Sequence, residues 1–189
     1  MSALHKTIAS LVWLTGLLYA PETFSQHEHH AVADTTKPKA KSPRTSAMAM
    51  IGNNHVHLDY GSPSVRGRSV WNGLVAYNQV WATGAHKATW IDFGQDVRIQ
   101  GKLVAKGRYG FFTIPNEGEW VLILSKDWDM HLADDYTPEH DVIRIPVKPA
   151  RNLQLVEALT YAIQQTAPEK GRVLVSWEWL NVGFDFDNK

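Results

Sequence analysis

Residues 81–115 read W-A-T-G-A-H-K-A-T-W-I-D-F-G-Q-D-V-R-I-Q-G-K-L-V-A-K-G-R-Y-G-F-F-T-I-P, from Trp81 to Pro115. The periodicity inside this run decides the fold. Thr89-Trp90-Ile91-Asp92-Phe93 sets Ile91 and Phe93 against Trp90 and Asp92 and stops at Gly94, the period-two pattern of a strand whose successive side chains point to opposite faces. Val97 and Ile99, then Leu103, bracket a turn at Gln100-Gly101, where glycine supplies the positive φ that a tight hairpin requires. A second turn at Lys106-Gly107 leads into Arg108 to Ile114, closed by Pro115. The stretch therefore reads as a meander of tight hairpins.

The same period continues outward. His55-Val56-His57-Leu58-Asp59-Tyr60 places Val56, Leu58 and Tyr60 on one face and both histidines on the other. Gly61 to Arg68 holds two glycines and a proline and reads as a long turn, whereas Val70 to Tyr77 fits either a short strand or a helical turn. Downstream, Trp120-Val121-Leu122-Ile123-Leu124 is almost continuously apolar, as expected of a strand covered on both sides. Ser125 to His140 breaks the pattern and is long enough to be a functional loop. In Asp141 to Val147, Pro146 lacks an N–H for the ladder, which predicts an edge strand. Leu153, Leu155, Leu159, Tyr161 and Ile163 share one predicted strand face, as do Val173, Val175, Trp177 and Trp179 after the turn at Pro168 to Gly171. About nine strands at short spacing without a convincing helix predict an all-β, antiparallel β-sandwich or open barrel.

At 189 residues the chain suits one domain with appendages. Thr7 to Ala20 is an apolar segment of signal-peptide length behind His5 and Lys6, shorter than the roughly 20 residues a membrane helix needs. Thr23 and Ser25 suit a cleavage site ahead of Gln26, so residues 1–25 read as a signal peptide. Residues 26–44, rich in His, Lys, Pro and Ser, read as a disordered linker, and 45–189 as a single β-sandwich domain. Periplasmic or secreted location is the expectation. With no cysteine there is no disulfide framework, thiolate metal site or lipid-anchor cysteine. Basic and acidic residues number 19 each, and removing residues 1–25 takes one of each, Lys6 and Glu22. A neutral chain gives no general attraction to nucleic acid or acidic membranes.

Four constellations carry chemistry. Arg66 and Arg68 flank Gly67 on one turn, while Trp81, Thr83, His86 and Lys87 surround another at Gly84. Guanidinium forks and an imidazole suit a carboxylate, sulfate or phosphate, with Trp71, Trp81 or Trp90 as stacking faces. His131, Asp134, Asp135 and His140 in the acidic loop provide an imidazole and carboxylate set competent for a divalent metal, completed from a strand by His55 or His57, though the spacing fits no defined metal motif. Glu157 and Glu178 interrupt apolar strands and form a carboxylate pair if they face one another; ion pairs with Arg144 or Arg172 are the structural alternative. His27, His29 and His30 could gather a transition metal on a flexible tract.

Trp81-Ala82-Thr83-Gly84-Ala85-His86-Lys87-Ala88-Thr89 resembles the domain of unknown function 2911 family, whose pattern there is close to W-R-T-G-A-N-E-A-T. The likeness runs on through Gly101-Lys102-Leu103, Gly107-Arg108-Tyr109, Phe112-Thr113-Ile114-Pro115, Glu119-Trp120, Asp141-Val142-Ile143-Arg144 and Trp177-Glu178. Upstream, Tyr60 to Arg68 is similar to its Y-S-R-P-x-V-K-G-R segment. Ala82, His86-Lys87 and Ser62 depart from the family's Arg, Asn-Glu and Arg, so chemistry resting on those residues would be altered. The resemblance implies an exported all-β domain and supplies no reaction. The residues favour a non-catalytic module for a small anionic or carbohydrate-like ligand, without cofactor; the alternative is a hydrolase, with or without metal, using loop 125–140.

Overall fold

The computed structural model describes residues 41–189; the segments read as a signal peptide and as most of the linker, with His27, His29 and His30, lie outside the described residues. Ten strands follow in order: β1 (Arg44–Ile51), β2 (Asn54–Gly61), β3 (Trp90–Phe93), β4 (Val97–Ile99), β5 (Lys102–Val104), β6 (Gly107–Ile114), β7 (Trp120–Ser125), β8 (Asp141–Val147), β9 (Ala150–Ala167) and β10 (Lys170–Asn188). They form an antiparallel six-stranded sheet, β1-β2-β3-β6-β7-β8, and an antiparallel four-stranded sheet, β5-β4-β10-β9.

Local chemistry explains most of these boundaries. Val56, Leu58 and Tyr60 are buried and His55 is exposed, as alternation requires. Gln100 and Gly101 both take positive φ, 48° and 78°, the backbone of a two-residue hairpin turn whose twist matches its strands. Pro146 lies in β8, at the edge of its sheet. Beyond about nine expected strands, the structure has β1. Its sequence R-T-S-A-M-A-M-I holds small and flexible residues rather than the branched ones that mark strands, so period-two reading passed over it. Residues 70–77 form neither strand nor helix; they turn, with an isolated bridge between Trp71 and Val75.

The main core fills the space between the sheets and includes Leu58, Ile91, Phe93, Phe111, Trp120, Leu122, Val175 and Phe186. One correction concerns phase. Leu153, Leu155 and Trp179, expected on the core face, are exposed, Leu153 fully so. The β9–β10 ladder shifts register between Ser176 and Glu178 and again between Glu178 and Leu180, and Glu178 takes φ 53°. Between paired positions β9 carries two extra residues at the first shift and three at the second; across this irregular stretch regular alternation is lost, and the buried positions of β10 change from Val173, Val175 and Trp177 to Val182, Phe184 and Phe186. Leu103 likewise faces out while Val104 turns in.

Candidate functional site

The apolar run of β7 has a consequence outside the main core. Trp120, Leu122 and Leu124 face inward, whereas Ile123 joins Phe112, Ala82, Ala88 and Met130 in a second cluster. This outer face must be covered, and loops 80–89 and 126–137 cover it. Their backbones then pair: the Ala88 N–H donates to the Met130 carbonyl at 3.0 Å, and the Leu132 N–H to the His86 carbonyl at 2.6 Å. Tyr136 packs on Phe112 at 5.1 Å and donates to Asp141 Oδ2 at 2.7 Å. Burial, then that hydrogen bond, pushes its phenol up to about 12.

The turn at Gly84 is held from beneath. Thr83 is fully buried with φ 47°; its hydroxyl lies 3.1 Å from the Trp81 carbonyl and 3.2 Å from Thr113 Oγ1. The Thr83 carbonyl accepts from Thr89 Oγ1 at 3.1 Å and from Tyr161 Oη at 2.8 Å. Complete burial raises the Tyr161 phenol well above its ordinary range. From the side, Arg44 pairs with Asp59 and donates to the carbonyls of Lys87 at 2.9 Å and Ala88 at 3.1 Å.

Above this platform lies a groove of about 340 Å³, whose lining includes Pro63, Arg68, Leu74, Trp81, His86, His131, Leu132 and Trp177. Trp81 and Trp177 line it, and Trp71 and Trp120 pack behind them. Trp81 and Trp177 stack at 5.7 Å with planes 23° apart, and Trp71 meets Trp81, Trp120 and Trp177 edge-on at 6.0, 4.7 and 5.9 Å. The Trp81 and Trp120 indoles donate to the carbonyls of Gly84 and Asn116. The buried Nε1–H groups of Trp71 and Trp177 have no partner among the described residues. Arg68's hydrogen bonds among those residues go to the carbonyls of Val65 at 3.1 Å and Ser64 at 2.6 Å, so its charge meets no carboxylate there.

Of the residues singled out from sequence, Arg68, Trp81 and His86 therefore come together, joined by His131 from the acidic loop. The others separate. Arg66 turns away to the Lys41 carbonyl, 2.6 Å from Nη2; Lys87 pairs with Asp129 at 3.3 Å; Thr83 lies beneath the surface. The acidic loop divides into two pairs, His131 with Asp134 and His140 with Asp127, both 2.9 Å, with Asp135 exposed in neither. No group of three His, Asp or Glu side chains suited to one metal ion occurs among the described residues. Glu157 accepts the Arg66 backbone N–H at 2.9 Å, while Glu178 acts on Tyr77, whose phenol is raised by burial and then by the charges of Glu117 and Glu178. Arg144 and Arg172 pair instead with Asp141 and Asp185.

Sequence reasoning missed Trp177, Leu74 and Leu132. The signal for Trp177 was the density of tryptophan itself, but its meeting with Trp81 joins a strand and a loop far apart in the chain.

Two antiparallel sheets, a loop-built groove and, among the described residues, no helix beyond one 3-10 turn at Pro138–His140 define an all-β, sandwich-like domain. Within that class, the chain belongs to the family described as Protein of unknown function (DUF2911), which matches residues 42–186. No curated protein and no solved structure matches it.

Proposed function

We propose that this domain is an exported, non-catalytic module that binds a small anionic ligand with an apolar or sugar-like face in the groove between its loops. One observation carries the reading: Arg68 brings a charge without a carboxylate partner among the described residues to a groove lined by Trp81, Trp177, His86 and His131. A guanidinium with N–H groups to spare is suited to a carboxylate, sulfate or phosphate, and indole faces suit the flat, weakly polar face of a sugar or ring. The apolar segment Thr7 to Ala20 behind His5 and Lys6 supports export.

The test is a thermal-shift screen of the full chain against sugar acids, sulfated sugars and small carboxylates, each beside its neutral counterpart, followed by calorimetry. An anionic compound is expected to raise the melting temperature where its neutral counterpart does not. Arg68→Gln, which keeps a donor for the Val65 and Ser64 carbonyls, should weaken that compound at least about tenfold, the loss of one charge-assisted pair, with an unchanged melting temperature. A panel without such a compound, or equal affinity in Arg68→Gln, overturns the reading.

A further inference from the structure

The outer face of the β1–β2 hairpin presents a second chemistry, apart from the groove. Ala47 and Ala49 pack toward the core, which turns Met48 and Met50 outward, 60% and 55% exposed. Val56 and Leu58 are buried, which turns His55 and His57 outward from the neighbouring strand. The register sets Met48 opposite His57 and Met50 opposite His55. Opposed residues of an antiparallel pair project to the same side with Cβ atoms about 4.5–5.5 Å apart. Two thioethers and two imidazoles thus occupy one square of the surface, with the imidazole centroids 6.1 Å apart.

The composition of that square is selective. A thioether is a soft ligand with little affinity for hard cations, and thioether with imidazole favours cuprous copper among biological metals. Two exposed methionines are also an unfavourable choice for an edge strand, where charged residues commonly guard against pairing with other chains. The adjoining charges are already committed. Arg108 lies 3.8 Å over the Trp90 ring and 3.3 Å from Asp92, and Arg44 pairs with Asp59. The rings of His55 and His57 make no hydrogen bond among the described residues, and the edge-on contact of Trp90 with His57 at 5.0 Å limits that ring's rotation. The hairpin fixes the four Cα positions, so closing on an ion requires side-chain rotation alone.

We propose that Met48, Met50, His55 and His57 form a surface site for a single Cu(I) ion. Binding is by coordination, with no change in oxidation state. The test titrates the full chain anaerobically with Cu(I) buffered by a chromophoric chelator, and separately with Zn(II). One Cu(I) per chain should be held against the chelator. The double substitution Met48→Leu/Met50→Leu, close in size at exposed positions, should weaken Cu(I) at least about tenfold, as expected on losing soft ligands, with Zn(II) binding and melting temperature unchanged. His55→Asn/His57→Asn should weaken Cu(I) too. Failure of the wild-type chain to take Cu(I), or undiminished Cu(I) affinity in the leucine variant, overturns the site; the second outcome would place the ion on imidazoles elsewhere, such as His27, His29 and His30.

Discussion

Single residues set the height of the groove floor. A Cβ placed on Gly61 would lie 2.1 Å from the Ala85 carbonyl oxygen, a backbone atom that can yield only by lifting the turn that carries His86. Gly61→Ala should therefore cost about 2 kcal/mol, within the range for overpacking, seen as a lower urea midpoint, and should weaken any groove ligand as well. Tyr136 supplies a pH signature. Its phenol is raised from 10 to about 12, so the neutral form is favoured in the fold. Its contribution to stability is complete below pH 10 and is lost as pH rises through about 12. Urea midpoints measured across that window should fall in the wild type and fall less in Tyr136→Phe.

Among the elements, β9 and β10 depart furthest from simple alternation. Glu178 occupies a left-handed backbone position at a bulge, where branched side chains are strongly disfavoured. The usual order of strand preference should invert there: Glu178→Val is expected to be about 1–2 kcal/mol less stable than Glu178→Gly, measured by urea unfolding. The same bulge explains what could be read in advance. Alternation placed β2 and β3 correctly because no residue is inserted within them, and β8 from Ile143 onward because its one extra residue, Val142, lies at its start; Pro146 marked its edge. It misplaced Leu153, Leu155 and Trp179 because counting by twos cannot register an extra residue set by cross-strand fit. At the groove, Arg68, Trp81 and His86 were legible as turn residues on glycine-rich loops. Their meeting with Trp177 and His131 depended on contacts between distant segments. The burial of Thr83 depended on Thr113 and Tyr161, which local sequence does not reveal.

For the whole molecule, β10 holds its own sheet together and ties it to the other. Asp187 and Asn188 of β10 pair with Arg98 and Val97 of β4, so the β4–β5 hairpin joins its sheet through the chain's final residues. Asn188 also donates to the Ile51 carbonyl at 2.7 Å and accepts from buried Asn54 at 2.8 Å, tying β10 to the opposite sheet. Truncation after Gly183 removes Phe184 and Phe186 from the core together with this tie, and near-ultraviolet circular dichroism should show loss of tertiary structure throughout the domain. Asn188→Ala keeps the strand and should cost about 1–3 kcal/mol, the penalty for polar groups left without partners. The stacked indoles of Trp81 and Trp177 have an optical consequence. Two such chromophores, 5.7 Å apart and 23° from parallel, share their excited states, which gives the folded chain an exciton couplet in its circular dichroism. Because both rings line the groove, an occupant that rotates or screens either one changes the couplet, and the protein reports its own occupancy without an added dye.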